Sequence, residues 1–476
     1  MMHPNSLKHV KKCVRTLSFV AGLLIGQSSV YAAEPGAENA ITGHFGDQTS
    51  IVNKPVEQII TQGEMLFLAR FTTPDGAGRP AATQAGVPTK RRVDPSRAFF
   101  RTSGPDSNGC VSCHMQPLAG GAGDFALNVF STDGFVDADF DSMDPQFSNE
   151  RGTTHLFGSG LVELLAREMT VDLQALRTAA ARTARDQKKS VTLELVTKGV
   201  SFGWLTVSAN GFLDVSRISG IDPDLVVRPF SQKGVFVSLR EFTVNASNHH
   251  HGMQAEERFG PRWTGEADHD EDGIASELTE GDITALVAFQ ATLPVPTRAK
   301  NLTDNWVASA ARGERLFTDL NCTSCHRSSL PLKSLNFAEP GPFNGAGTLR
   351  DTETTALIIE LAKQPGFSSL KRDKEGRYLV PLFSDLKRHT ISDGDIGHFR
   401  NELLGQRFAD RDQFLTGRLW GVGSTGPWGH RGDLTTLRET IQAHGGDARA
   451  SRNAFQALPE PDRKALIAFL QTLVIQ

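Results

Sequence analysis

Apolar residues recur at helical spacing in "LTEGDITALVAFQATL" (278–293) and in "LPEPDRKALIAFLQTL" (458–473), and the two segments align without gaps. Upstream of each, "QGEMLF" (62–67) and "ARGERLF" (311–317) share Gly-Glu-x-Leu-Phe. An opening helix and a closing helix are thus predicted twice, in the same order. The first unit carries more. "GLVELLAREMTVDLQALRTAAARTARDQ" (160–187) sets Leu161, Leu164, Leu165, Met169, Leu173 and Leu176 on one face of a long amphipathic helix. "SVTLELVTKGVSFGWLTVSANGFLDVS" (190–216) shows β-type runs broken by Gly and Asn, and Gly, Pro and Thr crowd a loop over 71–92. The prolines of "LPVPTRAKNLTDN" (293–305) end the first closing helix and mark a linker. The pattern predicts a mainly α protein of two repeated helical units, with a large loop and a small β insertion in the first.

Between opening and closing helix, each unit carries C-x-x-C-H: Cys110, Cys113 and His114, then Cys322, Cys325 and His326. The only other cysteine, Cys13, lies in a leader. Lys8, Lys11, Lys12 and Arg15 precede the apolar run "LSFVAGLLIG" and the small-residue site Val30-Tyr31-Ala32, which predicts a secretory signal peptide cut after Ala32. That run is shorter than the roughly 20 residues a spanning helix needs. The mature chain then keeps no cysteine for a disulfide. Two cysteines for thioether bonds and an adjacent histidine for iron are what covalent haem attachment requires, so two haem c groups are expected. A thioredoxin-like pair or a four-ligand zinc site requires no histidine after each pair. The expected organisation is a signal peptide over 1–32 and cytochrome c-like haem domains over 33–296 and 297–476, exported to the periplasm. Removing residues 1–32 leaves 46 Lys and Arg against 54 Asp and Glu. This acidic balance, with no basic block, gives no sign of nucleic-acid binding and suits a basic redox partner.

A haem iron closed by a second side chain favours electron transfer, and an open one favours reaction with peroxide or oxygen. Ten mature histidines remain as sixth-ligand candidates: His44, His155, His249, His250, His251, His269, His389, His398, His430 and His444. "ADHDEDGIASELTEGD" places Asp268, Asp270 and Asp272 before Gly273, the first half of an oxygen-ligand calcium loop. Position twelve would be Thr279 rather than Glu, with Glu277 or Glu280 as substitutes, so the loop reads equally as a solvated acidic turn.

The segment 419–470, with "GHRG", "TLRETIQAH" and "HGGDA", together with "DLKRH" (385–389) and the two haem motifs, resembles the bacterial di-haem oxidoreductases of the di-haem cytochrome c peroxidase superfamily. That superfamily includes the methylamine-utilisation di-haem enzyme and the rubber oxygenases. The resemblance covers most of 60–476 and is strongest after 380. It implies that His444 stands where the peroxidases carry a methionine ligand of the second haem, with His430 beside it. A helix-capping role next to Gly445 and Gly446 is the other reading of His444. It further implies His251 as the first haem's sixth ligand, with Met253, His250 and His249 as alternatives. It implies an acid–base glutamate for peroxide cleavage, for which Glu163 and Glu168 are the candidates, and a structural calcium. The only mature tyrosine, Tyr378, lies outside any matching motif. The implied activity is that of a periplasmic peroxidase-like oxidoreductase fed by a small c-type cytochrome or cupredoxin. The setting of His444 in a compact segment near the closing helix predicts a second haem that stays closed, and that of His251 in a polar, Gly-adjacent stretch predicts a first haem, closed at rest, that opens when the second is reduced. A bis-His electron carrier and a rubber-oxygenase-type haem oxygenase are the alternatives.

Overall fold

The computed structural model describes residues 35–92, 105–128, 150–394, 399, 402 and 405–476. The predicted leader and His398 lie outside them. The elements that build the sites are α1 (Val56–Leu68), α2 (Ser159–Gln187), β1 (Val191–Thr197), β2 (Val200–Val207), β3 (Leu213–Ile218), α3 (Leu239–Ala246), α4 (Glu280–Thr292), α5 (Asp304–Asp319), β4 (Asn336–Glu339), β5 (Leu357–Glu360), β6 (Arg388–Thr390), β7 (Gln413–Leu415), α6 (Leu437–Gln442) and α7 (Glu460–Gln471).

The repeated Gly-Glu-x-Leu-Phe segments have the same local cause in both units. α1 crosses α4 at Gly63, where a Cβ would come within 1.9 Å of the Ala285 carbonyl oxygen. α5 crosses α7 at Gly313, where a Cβ would meet the Ala465 carbonyl oxygen at 2.0 Å. Only glycine lets the backbones approach so closely. Four residues on, one helical turn, Phe67 packs on Phe289 of the closing helix with ring centroids 5.1 Å apart, and Phe317 packs on Phe469 at 5.4 Å. The same two phenylalanines then reach the haem-motif histidines. Phe67 lies 6.2 Å from His114 and Phe317 lies 6.2 Å from His326. Sequence repetition is therefore repetition of packing, down to the ring that supports each motif.

The long helix α2 buries Leu161, Leu164, Leu165, Met169 and Leu173, five of the residues on its predicted apolar face. Against it lies the antiparallel sheet β1-β2-β3, whose Leu195, Phe202 and Leu205 join α2 in one core. The predicted β insertion is thus a three-stranded sheet roofing that helix. The linker is structured as well, because Thr297 and Arg298 pair antiparallel with Leu473 and Val474 near the C-terminus.

The expectation of a mainly α fold needs correction, because the described residues mix helices with strands that form six small antiparallel sheets. Much of the unforeseen strand lies between residues 330 and 415, as pairs such as β4 with β5 and β6 with β7. Strands of three or four residues carry too few positions for alternation to be read. Glu38–Gln476 forms one compact unit with a core running from Ile41 to Ile475. No helix among the described residues is long and apolar enough to cross a membrane.

Gly313→Ala tests the crossing. Helix propensity alone would favour alanine by about 1 kcal/mol. Overpacking against a backbone carbonyl that has no rotamer to relieve it costs about 1–3 kcal/mol. The variant is expected to unfold at a lower temperature in a thermal melt, whereas an increase would mean the helices separate at no cost.

Candidate functional site

Two clefts are built around the two motifs. The second, about 1080 Å³ with its mouth, is lined by Cys322, Cys325, His326, His389 and His444 among mostly apolar neighbours. The turn Cys322–Ser324 follows α5 directly and is closed by Cys325 N–H donating to the Cys322 carbonyl. Next in chain, His326 Nδ1 pairs with the Phe383 carbonyl oxygen at 3.1 Å. His444, just past the end of α6, pairs through Nδ1 with the Thr440 carbonyl oxygen at 2.7 Å. Each carbonyl fixes Nδ1 as the protonated nitrogen and leaves Nε2 as a free acceptor, as in metal-ligating histidines. Burial pushes His326 down to about 4 and also lowers His444, so both are neutral, the form that binds a metal.

Their rings lie with centroids 6.4 Å apart. A first-row metal–imidazole bond of about 2 Å plus about 1.1 Å from Nε2 to the ring centre, taken on both sides, gives about 6.3 Å. The observed separation matches that of two imidazoles sharing one ion. Two cysteines on the same wall complete the set a covalently held haem requires, so this cleft fits the group. Beside it His389 pairs with Asp385 at 2.8 Å. Burial opposes its charge, but Asp385 and Cys325 outweigh that and raise it to about 10. The part due to Cys325 would vanish with that sulfur in a thioether, leaving Asp385.

The first cleft, about 1500 Å³ with its mouth, is lined by Cys110, Cys113, His114, His249, His250 and His251. His114 Nδ1 pairs with the Gly121 carbonyl oxygen at 3.2 Å, and burial lowers it to about 4. Opposite, residues Ser247–His251 form a single π-helical turn that continues α3, a distortion frequent at functional sites. His251 Nδ1 meets the Ser107 carbonyl oxygen at 3.2 Å, and burial pushes it down to about 3. His250 Nδ1 lies 2.8 Å from Asp106 Oδ2. Burial first, then His114, hold His250 down to about 4. Among the described residues no histidine ring faces His114 as His444 faces His326. Met253, an alternative ligand by sequence, is fully buried and lines neither cleft.

The two glutamates expected to move protons stand apart from both clefts. Glu163 is buried in α2, paired with Arg167 at 2.5 Å and accepting from Leu239 N–H at 2.8 Å. Glu168 pairs with Lys198 at 2.5 Å and accepts from Lys333 N–H. Glu163 shares a buried network in which Arg240 bonds Glu257 and Glu339. An isolated charge there would be prohibitive, so both glutamates hold elements together. Sequence reasoning missed Asp106 because nothing in "GPDSNGC" distinguishes it from a turn residue. Its role comes from a long-range contact with His250.

Asp268, Asp270 and Asp272 bring carboxylate oxygens within 4.8 Å of one another. Asp270 is fully buried and neither of its oxygens has a partner. Burial, then Asp272, raise it to about 8. Buried Glu277 is also raised, by burial and then by Asp270, so it lies within electrostatic reach of the three aspartates. Thr279 instead caps α4, its side chain accepting from Asp282 N–H. Glu280 turns to the Gln48 N–H. His430 lies beside the second cleft, with Nε2 3.0 Å from Glu402 and its ring 4.5 Å from Phe414.

Two cysteine-walled clefts with partly buried, neutral histidines fit haem groups. Residues 355–473 match the family model described as "di-haem oxidoreductase, putative peroxidase". That stretch carries His389, His430 and His444 but neither C-x-x-C-H motif. Among solved structures, the chain is similar to Kuenenia stuttgartiensis hydrazine synthase under xenon, with 13% identity over 98% of this chain and 100% of that one and a TM-score of 0.36. It is also similar to a MauG-like protein associated with microbial copper homeostasis, with 16% identity over 56% of this chain and 78% of that one and a TM-score of 0.26. No curated protein matches the chain.

Proposed function

We propose that the protein is a periplasmic di-haem c-type oxidoreductase with peroxidase-like activity. In this reading 1–32 is a signal peptide, and 33–296 and 297–476 are cytochrome c-like domains. Cys110 and Cys113, and Cys322 and Cys325, carry the two haems on His114 and His326. The observation that carries the division of labour is the asymmetry between clefts. His326 and His444 already face each other at 6.4 Å, whereas His114 faces a polar wall of three histidines. The second cleft is therefore the closed, electron-delivering side, fed by a small c-type cytochrome or cupredoxin. The first cleft is where a peroxide reacts, with His251 as a ligand that withdraws.

Haem iron in these sites would supply one-electron chemistry and, at an open position, peroxide reduction. The chain's own task is to handle protons. A group near the reacting oxygen must take a proton and return it. His250 is placed for this in the stead of a glutamate. Its Nδ1 donates to Asp106 Oδ2 at 2.8 Å, which leaves Nε2 to accept a proton, and the carboxylate then steadies the imidazolium that forms. Burial keeps the ring neutral until that moment.

Asp106→Asn is expected to lower peroxide turnover with an artificial electron donor by about 10²-fold while leaving the haem spectra unchanged. Turnover at the wild-type rate would remove His250 and Asp106 from the reaction. No turnover by wild-type protein carrying both haems would favour the bis-His electron carrier instead.

We also assign Asp268, Asp270 and Asp272 to one calcium ion, with Glu277 nearby, since three aspartate carboxylates converge and the buried Asp270 has no hydrogen-bond partner for either oxygen. Prolonged chelation should lower the melting temperature and added calcium restore it. A melt indifferent to both would retire the site.

A further inference from the structure

The proposed reaction uses His250 and Asp106 but leaves His249, which lines the same cleft, without a task. The loop that carries Asp106 and the π turn that carries the histidines are held together through backbone groups. Ser107 N–H donates to the His250 carbonyl oxygen at 3.1 Å. Buried Arg79 donates through Nη1 to the carbonyl oxygens of Asn248 and His249 at 2.6 and 3.2 Å. Both contacts fix the turn without engaging the imidazoles of His249 and His250. In an α-helix successive side chains diverge by about 100°. Across this π turn the rings of His249 and His250 instead meet edge to face, with centroids 4.6 Å apart.

The result is a convergent set of ligand atoms. One carboxylate oxygen of Asp106 and one ring nitrogen from each of His249 and His250 all lie within 4.8 Å of one another, and all three residues are partly buried. The pair His250 Nδ1 and Asp106 Oδ2 is 2.8 Å apart. Around a single transition-metal ion, with bonds of about 2.0–2.2 Å, ligand atoms lie about 3–3.5 Å from one another. Small side-chain rotations therefore separate the present arrangement from a coordinated one. Two imidazoles and one carboxylate suit a late first-row divalent ion such as zinc or copper, and not calcium, which takes oxygen ligands. The charge of Arg79 acts on His250 and disfavours added positive charge, so the ion would be held reversibly.

We infer that Asp106, His249 and His250 form a regulatory site for a divalent late transition-metal ion, which stops peroxide turnover by taking both members of the proton-handling pair as ligands. The switch rests on the reading that His250 and Asp106 move the proton. With Nδ1 bound to the ion, His250 no longer donates to Asp106, and with its carboxylate bound as well, Asp106 no longer steadies an imidazolium. The backbone bonds from Ser107 and Arg79 are untouched, so the turn stays folded as the site fills. His249 is the residue that makes the pair a metal site.

Zinc is the probe, because it is redox-silent. It is titrated calorimetrically into haem-loaded protein stripped of transition metals, with calcium kept saturating so that the aspartate loop stays filled. Wild type should bind one zinc, and its X-ray absorption at the zinc edge should show two imidazoles and oxygen at about 2.0–2.2 Å. Peroxide turnover should fall at least about tenfold as the site fills and return with a chelator that spares calcium. His249→Ala and Asp106→Asn should each bind zinc at least about tenfold more weakly. His249→Ala, measured against its own zinc-free rate, should escape inhibition at the concentration that silences wild type. Zinc binding that both variants keep is an adventitious ion only and overturns the inference. So does an edge spectrum without imidazole scattering, which requires no variant to fold. Zinc bound at these residues with turnover undiminished overturns the switch and the proton role of the pair together. If zinc-free wild type shows no turnover, the peroxide reading has failed and the switch with it, while calorimetry and the edge spectrum still decide the ion site by themselves.

Discussion

Much of the molecule follows from one constraint, the close crossing of an opening helix over a closing helix at a glycine. At Gly63 and Gly313 the helix backbones approach to where a single methyl group would strike a carbonyl oxygen. That approach places Phe67 and Phe317 against the closing helices and under the histidines of the two cysteine motifs. The motif loops are short and weakly structured on their own, each a single 3₁₀ turn. What holds His114 and His326 in place is the paired helices beneath and one backbone carbonyl on each Nδ1. Built twice, the arrangement yields two similar proximal walls, and the difference between the clefts lies entirely on their far sides.

Those far sides are made differently. In the second cleft His444 sits at the end of a short capped helix, its Nδ1 tied to Thr440 one turn earlier, so ring and backbone are ordered by the same hydrogen-bonded turn. In the first, three successive histidines leave α3 through a π turn and are held by a loop, Asp106 and Ser107, that approaches from elsewhere in the chain. A ligand held by its own helix is costly to displace, whereas one held across a loop contact opens locally at lower cost. That contrast gives the proposed division between a closed and a reacting haem its physical basis.

The sequence revealed what repeats or has a period. The helix pairs, the motifs, the long α2 and the β insertion were legible because glycine spacing, 3.6-residue periodicity and alternation are local properties. His444 was reached differently, through the resemblance of 419–470 to the di-haem oxidoreductases, and its ring lies 6.4 Å from that of His326. Contacts between distant segments were not legible. Glu163 and Glu168 looked like candidate acids because a helix does not announce which of its carboxylates will meet Arg167 or Lys198. Asp106 and Glu277 were passed over or left as options because their partners, His250 and Asp270, come from other segments or from a buried loop. The short strand pairs between 330 and 415 escaped for a related reason, since each is defined by its partner rather than by its own pattern.

The central claim is that His326 and His444 close one iron while the other can be opened. Low-temperature electron paramagnetic resonance of the oxidised, haem-loaded protein and of its His444→Ala and His251→Ala variants reads this directly. The account predicts that each variant gains a high-spin signal from a different haem: loss of His444 opens the second, and loss of His251 opens the first while the low-spin signal of the second persists. A His444→Ala spectrum identical to wild type would contradict it, because His444 would then not be a ligand.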